Sequence, residues 1–202
     1  MPAAFYDARV DFALPLSSCK LELISGRAHY ERVIAAVREA ERSVWIATAN
    51  LKELMVEDWR LRPGRRRAGR PEYRSVLGVF SELAERGVEL RILHASLPSR
   101  AFREAFDREK KLVRGGLELR MCPRVHLKTV IIDGRFAYLG SANWTGAGLG
   151  AKGENRRNFE LGMVTEDEAV LDEVQALYVR IWSGAACAKC GRKDVCEAPL
   201  SL

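Results

Sequence analysis

A chain of 202 residues, 48% hydrophobic and 30% charged, can bury one sizeable core and has the balance of an ordinary globular domain. No apolar run approaches the roughly 18 residues a membrane span needs. Met1 to Leu16 lacks the basic start and apolar block of a secretory signal, so a cytoplasmic location is expected. The net charge of +6 favours polyanionic partners, either nucleic acid or anionic lipid headgroups.

Leu21 to Ile24 reads as a short strand ending at Gly26. Ala28 to Arg42 carries Tyr30, Val33, Ile34, Val37 and Ala40 at a helical period. Ser43 to Ala49 is apolar, aromatic and β-branched, as a buried central strand should be. Arg60 to Arg70 then places six arginines in eleven residues with Pro63, Gly64 and Gly69, which suits an exposed loop able to contact phosphates. Glu72 to Arg86 is a second amphipathic helix, with Val76, Val79, Phe80 and Leu83 on one side and Gly87 as its cap. Val88 to Leu93 is the next strand, Ser99 to Val113 a third helix ended by Gly115-Gly116, and Leu117 to Met121 another strand. This rhythm predicts an α/β domain with a mixed, mostly parallel sheet flanked by helices. Functional groups in such sheets gather at the carboxyl ends of strands, where Asn50 and His94 lie.

Val125 to Ile132 is rich in β-branched residues and reads as a strand, so His126 and Lys128, two apart, project from one face. Asp133-Gly134 is a tight-turn pair, and Phe136 to Leu139 would return antiparallel. That hairpin would bring Ser141 and Asn143 back beside His126 and Lys128. Imidazole is a nucleophile or acid-base group near neutral pH, and an adjacent ammonium stabilises charge on a phosphate. A hydroxyl and an amide can hold the nonbridging oxygens. No carboxylate pair at metal-ligand spacing accompanies them, which points to phosphate-ester cleavage without a catalytic metal. Further on, a strand from Asn155 to Val164 puts Asn158 and Glu160 on one face. Glu160 is the candidate to fix the His126 tautomer. A last helix, Asp167 to Ile181, carries Val170, Val174, Leu177 and Tyr178.

The series His126-x-Lys128-x4-Asp133-Gly134, Gly140-Ser141-x-Asn143 and Asn158-x-Glu160 closely resembles the signature of the phospholipase D superfamily. The resemblance implies that His126 attacks phosphorus and forms a phosphohistidine. Lys128 and Asn143, with Ser141 more weakly, would hold the phosphate, and Glu160 would orient His126. Asp133, Gly134, Gly140 and Asn158 would be structural. Many members carry two copies of the motif, the second histidine protonating the leaving group. Only one copy occurs here, so a homodimer with a composite active site is expected. Small single-motif members resemble dimeric endonucleases, whereas other members act on phospholipids as phospholipases or phosphatidyltransferases. The basic balance and the arginine-rich stretch favour nucleic acid. A nucleic-acid-binding module with weak or no catalysis is the reading from another class.

Cys19, Cys122, Cys187, Cys190 and Cys196 are an odd set, which argues against a disulfide framework. Residues 1–183 are expected to form the catalytic domain and residues 184–202 a cysteine-rich tail. Cys187-x2-Cys190 followed by Cys196 has the look of a metal knuckle for a structural zinc or an iron–sulfur cluster, separate from the chemistry. A fourth ligand is needed, with Cys122 preferred and Cys19 second.

Overall fold

The computed structural model describes residues 12–14, 18–58 and 72–196. The arginine-rich stretch, Arg60 to Arg70, falls within residues 59–71 and so lies outside the described residues. The chain runs β1 (Leu21–Ser25), α1 (Arg27–Arg38), β2 (Ser43–Thr48), β3 (Met55–Glu57), β4 (Tyr73–Ser75), α2 (Val76–Glu85), β5 (Glu89–His94), α3 (Arg100–Arg108), β6 (Glu118–Met121), β7 (Thr129–Ile132), β8 (Phe136–Gly140), β9 (Leu161–Thr165) and α4 (Glu168–Trp182).

Seven strands form one sheet in the order β1-β9-β8-β7-β2-β5-β6. The α/β class and the mixed sheet agree with the sequence reading, but the expectation of a mostly parallel sheet needs correcting. Only β2, β5 and β6 run parallel, joined by crossovers through α2 and α3. The other four pairings are antiparallel. The physical reason is the Asp133-Gly134 turn. Both residues take positive φ, 55° and 66°, and Arg135 N donates to Ile132 O at 2.9 Å, a tight turn with three residues between the paired Ile132 and Phe136. It turns β7 straight back into β8, and β9 and β1 then add antiparallel at the far edge.

Alternation along the central strands feeds two cores. Val44 and Ile46 of β2, Leu90 and Ile92 of β5, and Val130 and Ile132 of β7 face α1, α2 and α3. Ala47, Leu93 and Ile131 face the other way, against Tyr178 and Trp182 of α4. Trp45, Tyr178 and Trp182 stack in series at centroid separations of 5.3 and 5.9 Å. Arg91 lies over both tryptophan rings, covering the stack with a cation.

Several boundaries differ from the sequence reading. The second helix begins at Val76 rather than Glu72, because Tyr73 to Ser75 pair with Met55 to Glu57 as a small hairpin. Ser75 ends that hairpin and caps α2, its hydroxyl accepting from Leu77 N at 3.1 Å. The third helix stops at Arg108, and a wide turn over Leu112–Gly116 follows. Gly116 is required there, since a Cβ would stand 2.7 Å from the Lys111 carbonyl oxygen. The expected strands from Val125 and Asn155 enter the ladder only at Thr129 and Leu161.

Candidate active site

β7 and β8 set the register of the site. Thr129 pairs with Leu139, and one step further Gly140 N donates to Lys128 O at 3.2 Å. The hairpin therefore lays Lys128 alongside Gly140, and the chain beyond Gly140 crosses toward the carboxyl end of β2. Gly140 and Gly162 face each other across β8 and β9. Both lie over the Tyr138 ring, and a Cβ at Gly162 would come within 2.5 Å of Tyr138 Cε2. Neither position can carry a side chain without displacing that buried ring.

His126 is exposed and Lys128 half-buried. Lys128 Nζ lies 3.1 Å from His126 Nδ1 and donates to the His126 carbonyl at 2.7 Å. Burial pulls the Lys128 pKa below its ordinary value, and the charge of Glu160 pulls it partly back.

Asn143 is held through its oxygen. Oδ1 accepts from Asn50 N at 3.0 Å and lies 3.3 Å from the Thr48 hydroxyl, whose single proton is shared with Asn50 O at 3.0 Å. A backbone N–H can only donate, so this fixes which end of the amide is which. The Nδ2 donor is then the end left for a ligand, and among the described residues it has no partner. Thr48 also accepts from Trp144 N at 2.9 Å, and Lys52 N donates to Trp144 O at 3.0 Å. These bonds stitch the carboxyl end of β2 to the loop after β8. Asn50 contributes through its backbone.

Ser141 and Asn158 meet on Glu160. The Ser141 hydroxyl donates to Oε2 in a short bond, and Asn158 Nδ2 donates to Oε1 at 3.0 Å. Leu161 N donates to Ser141 Oγ at 3.1 Å. Among the described residues Glu160 makes no hydrogen bond to His126. Its charge instead acts on Lys128, His29 and Tyr138.

Asp133 stands at the opposite end of the hairpin. Its carboxylate accepts from Glu41 N at 2.9 Å, Arg42 N at 2.7 Å and Ser43 N at 2.8 Å. Burial raises its pKa, but these three donors and Arg135 more than offset that and leave it below the usual carboxylate range. It ties the turn between α1 and β2 to the β7–β8 hairpin.

His94 does not join the site. It is buried, its Nδ1 lies 2.9 Å from Ser96 O, and burial lowers its pKa. Three groups escaped sequence reasoning. Thr48 orients Asn143. Tyr138, with its pKa pushed by burial up to about 12, accepts from Ala142 N at 3.3 Å and supports the loop beneath Ser141. His29 packs edge-on against Tyr138 at 5.6 Å, with Nδ1 at 3.3 Å from Gly26 O. His29 is one of three histidines in the chain, and no motif or spacing marks it.

An exposed imidazole, an ammonium, an amide anchored through its oxygen and a carboxylate-held hydroxyl lie about the ends of β2, β7 and β8. The family model described as "Cardiolipin synthase, PLD-like domain" matches residues 33–182, and the chain belongs to this phospholipase D-like family. Among solved structures, the fold is similar to NucT from Helicobacter pylori, with TM-score 0.57, 16% identity, and coverage of 82% of this chain and 96% of that one. It is also similar to the phospholipase D family member Nuc from Salmonella typhimurium, with TM-score 0.54, 17% identity, and coverage of 82% and 95%. Phosphatidylserine synthase of Haemophilus influenzae aligns at TM-score 0.50 and 16% identity over 79% of this chain and 38% of its own length. A search of the curated proteins finds no match. No helix among the described residues is long and apolar enough to cross a membrane.

Proposed function

We propose that the protein is a phosphodiesterase that cleaves nucleic acid through a covalent phosphohistidine on His126. The observation that carries this reading is Lys128 Nζ lying 3.1 Å from His126 Nδ1 just before β7, whose neighbour β2 ends where Asn143 has its amide oxygen already occupied. Lys128 and Asn143 Nδ2 would take the nonbridging oxygens, with Ser141 assisting. Glu160 acts as a positioning carboxylate: it holds Ser141 and Asn158, and its charge favours the ammonium form of Lys128 beside His126. The chemistry asks for no catalytic metal, because the nucleophile and the anion-stabilising donors are all side chains. The surplus of +6 and the arginine-rich stretch suit a polyanion, and the likeness to Nuc and NucT leans the same way.

One chain supplies one such histidine, so the leaving group must be protonated by a second copy in a homodimer. A surface suited to that copy adjoins the site. Alternation along β1 and β9 puts Leu21 and Leu23 beside Met163 and Leu161, all exposed. Phe159, between the site residues Asn158 and Glu160, is fully exposed at 108%. Such an apolar sheet edge, continuous with a half-complete site, fits an isologous contact.

A side-by-side assay in EDTA tests the substrate. It offers single-stranded DNA, duplex DNA, RNA, and vesicles of phosphatidylcholine or cardiolipin, with His126→Ala as control. Cleavage of nucleic acid by the wild type alone is expected. Turnover of lipid with none of nucleic acid would overturn the substrate class, and full effect in His126→Ala would favour a binding module instead.

A further inference from the structure

A cleft of about 790 Å³ opens beside the proposed nucleophile, and its lining includes His126 together with four cysteines, Cys122, Cys187, Cys190 and Cys196. The fifth, Cys19, is exposed and is not part of that lining, whereas the other four are each partly buried. We propose that these four thiols form a closed tetrathiolate metal site, holding zinc or an iron–sulfur cluster, that clasps the tail onto the segment bearing His126.

The first support is placement. Cys122 sits at the carboxyl end of β6, where its N–H donates to His94 O at 2.8 Å and its carbonyl accepts from Val125 N at 2.9 Å. The Cys122 backbone is thereby fixed four residues before the proposed nucleophile. Cys187 and Cys190 share one tight turn, with Cys190 N donating to Cys187 O at 3.1 Å, so both sulfurs leave the same bend. Cys196 follows a single 3₁₀ turn, Lys193–Val195. Arg124 already reaches from the segment before His126 to the tail, its guanidinium 3.7 Å from Cys190 Sγ.

The second support is charge. Four thiolates around one divalent ion leave a net charge of about −2. The cleft wall supplies compensating cations in Arg120, Arg124, Arg180 and Lys189. The third is that the described part of the tail, residues 184–196, offers little else to hold it. Its largest hydrophobic side chain, Val195, is exposed, and a stretch that buries so little apolar surface cannot offset its ordering entropy by packing alone. Among the described residues no three metal-ligating side chains yet converge on a point. Metal binding would therefore draw the tail inward, coupling folding of this segment to the ion.

The test is elemental analysis of protein purified without added metal or chelator, with labile sulfide and visible absorption separating a cluster from zinc. About one zinc, or one cluster, per chain is expected in the wild type and in Cys19→Ser, with loss in Cys122→Ser and in the Cys187→Ser/Cys190→Ser pair. A thiol count on the wild type guards against variants that misfold. Only Cys19 should react fast in the native protein, and all five after unfolding in chelator. Less than about a tenth of an equivalent of zinc or iron in the wild type would overturn the proposal. So would five fast thiols in the native state, or full metal content in Cys122→Ser.

Discussion

Replacing Asp133 by alanine removes the acceptor of three backbone N–H groups at once, those of Glu41, Arg42 and Ser43. A hydrogen bond to a charged acceptor nets roughly 1.5–3 kcal/mol when well buried. Two of these three bonds are exposed, so about 1 kcal/mol each is the fitting figure. Asp133 also sits at φ 55°, where an alanine costs about 1 kcal/mol more. The sum is about 4 kcal/mol, or roughly 8–16 °C in Tm for a domain of this size. Asp133→Asn keeps an acceptor oxygen and tolerates the left-handed conformation, so it should lose about half as much. Because the folded carboxyl has a lowered pKa, its contribution is complete above the unfolded value near about 4 and is lost as pH falls through the lower folded value. The gap between wild type and Asp133→Ala, read by urea or thermal unfolding, should persist from pH 7 to pH 5 and narrow below about pH 4. An Asp133→Asn protein with unchanged stability but no activity would refute the structural role and place Asp133 in the chemistry.

Lys128→Met should lower kcat/KM by about two to three orders of magnitude while leaving the unfolding midpoint within a few degrees, since the ammonium is only half-buried. A comparable loss of stability would mean that Lys128 is there for the fold. Thr48→Val frees the Asn143 amide from one of its two anchors and removes the acceptor of the buried Trp144 N, so an activity loss of about tenfold and a stability loss of about 1–3 kcal/mol are expected. Full activity would show that Asn143 needs no such orientation. Burial lowers the pKa of both His29 and His94, so the unfolded chain takes up protons that the folded chain refuses. Stability should therefore fall as pH drops below about 6.5, and His94→Gln should flatten that fall; an identical slope would contradict it.

The hairpin carrying His126, Lys128, Asp133 and Gly134 was legible because its signals are local. A β-branched run, an Asp-Gly pair and a return strand fix register within fifteen residues. The β2-α2-β5-α3-β6 portion was legible for the same reason. The placement of β1 was not, since its partner β9 is about 140 residues away and nothing in Leu21 to Ser25 encodes that pairing. The β3–β4 hairpin escaped because three-residue strands show no period, and Tyr73 to Ser75 extend the pattern of the helix behind them. Thr48, Tyr138 and His29 acquire their roles only when β2, β8 and α1 meet, so no spacing along the chain announces them. Glu160 precedes β9 instead of lying on the expected strand, and its oxygens engage Ser141 and Asn158, a pairing that no spacing along the chain announces.

Heterodimers decide whether one chain holds half a site. Wild-type and His126→Ala chains carrying different tags would be co-expressed, and the mixed species isolated through both tags in turn. If each histidine has its own task in one composite site, the heterodimer should turn over at below about a hundredth of the wild-type rate, since a lost general acid alone costs that much. A heterodimer keeping about half of the wild-type rate, or full turnover by a monomer, would show that each chain carries a complete site.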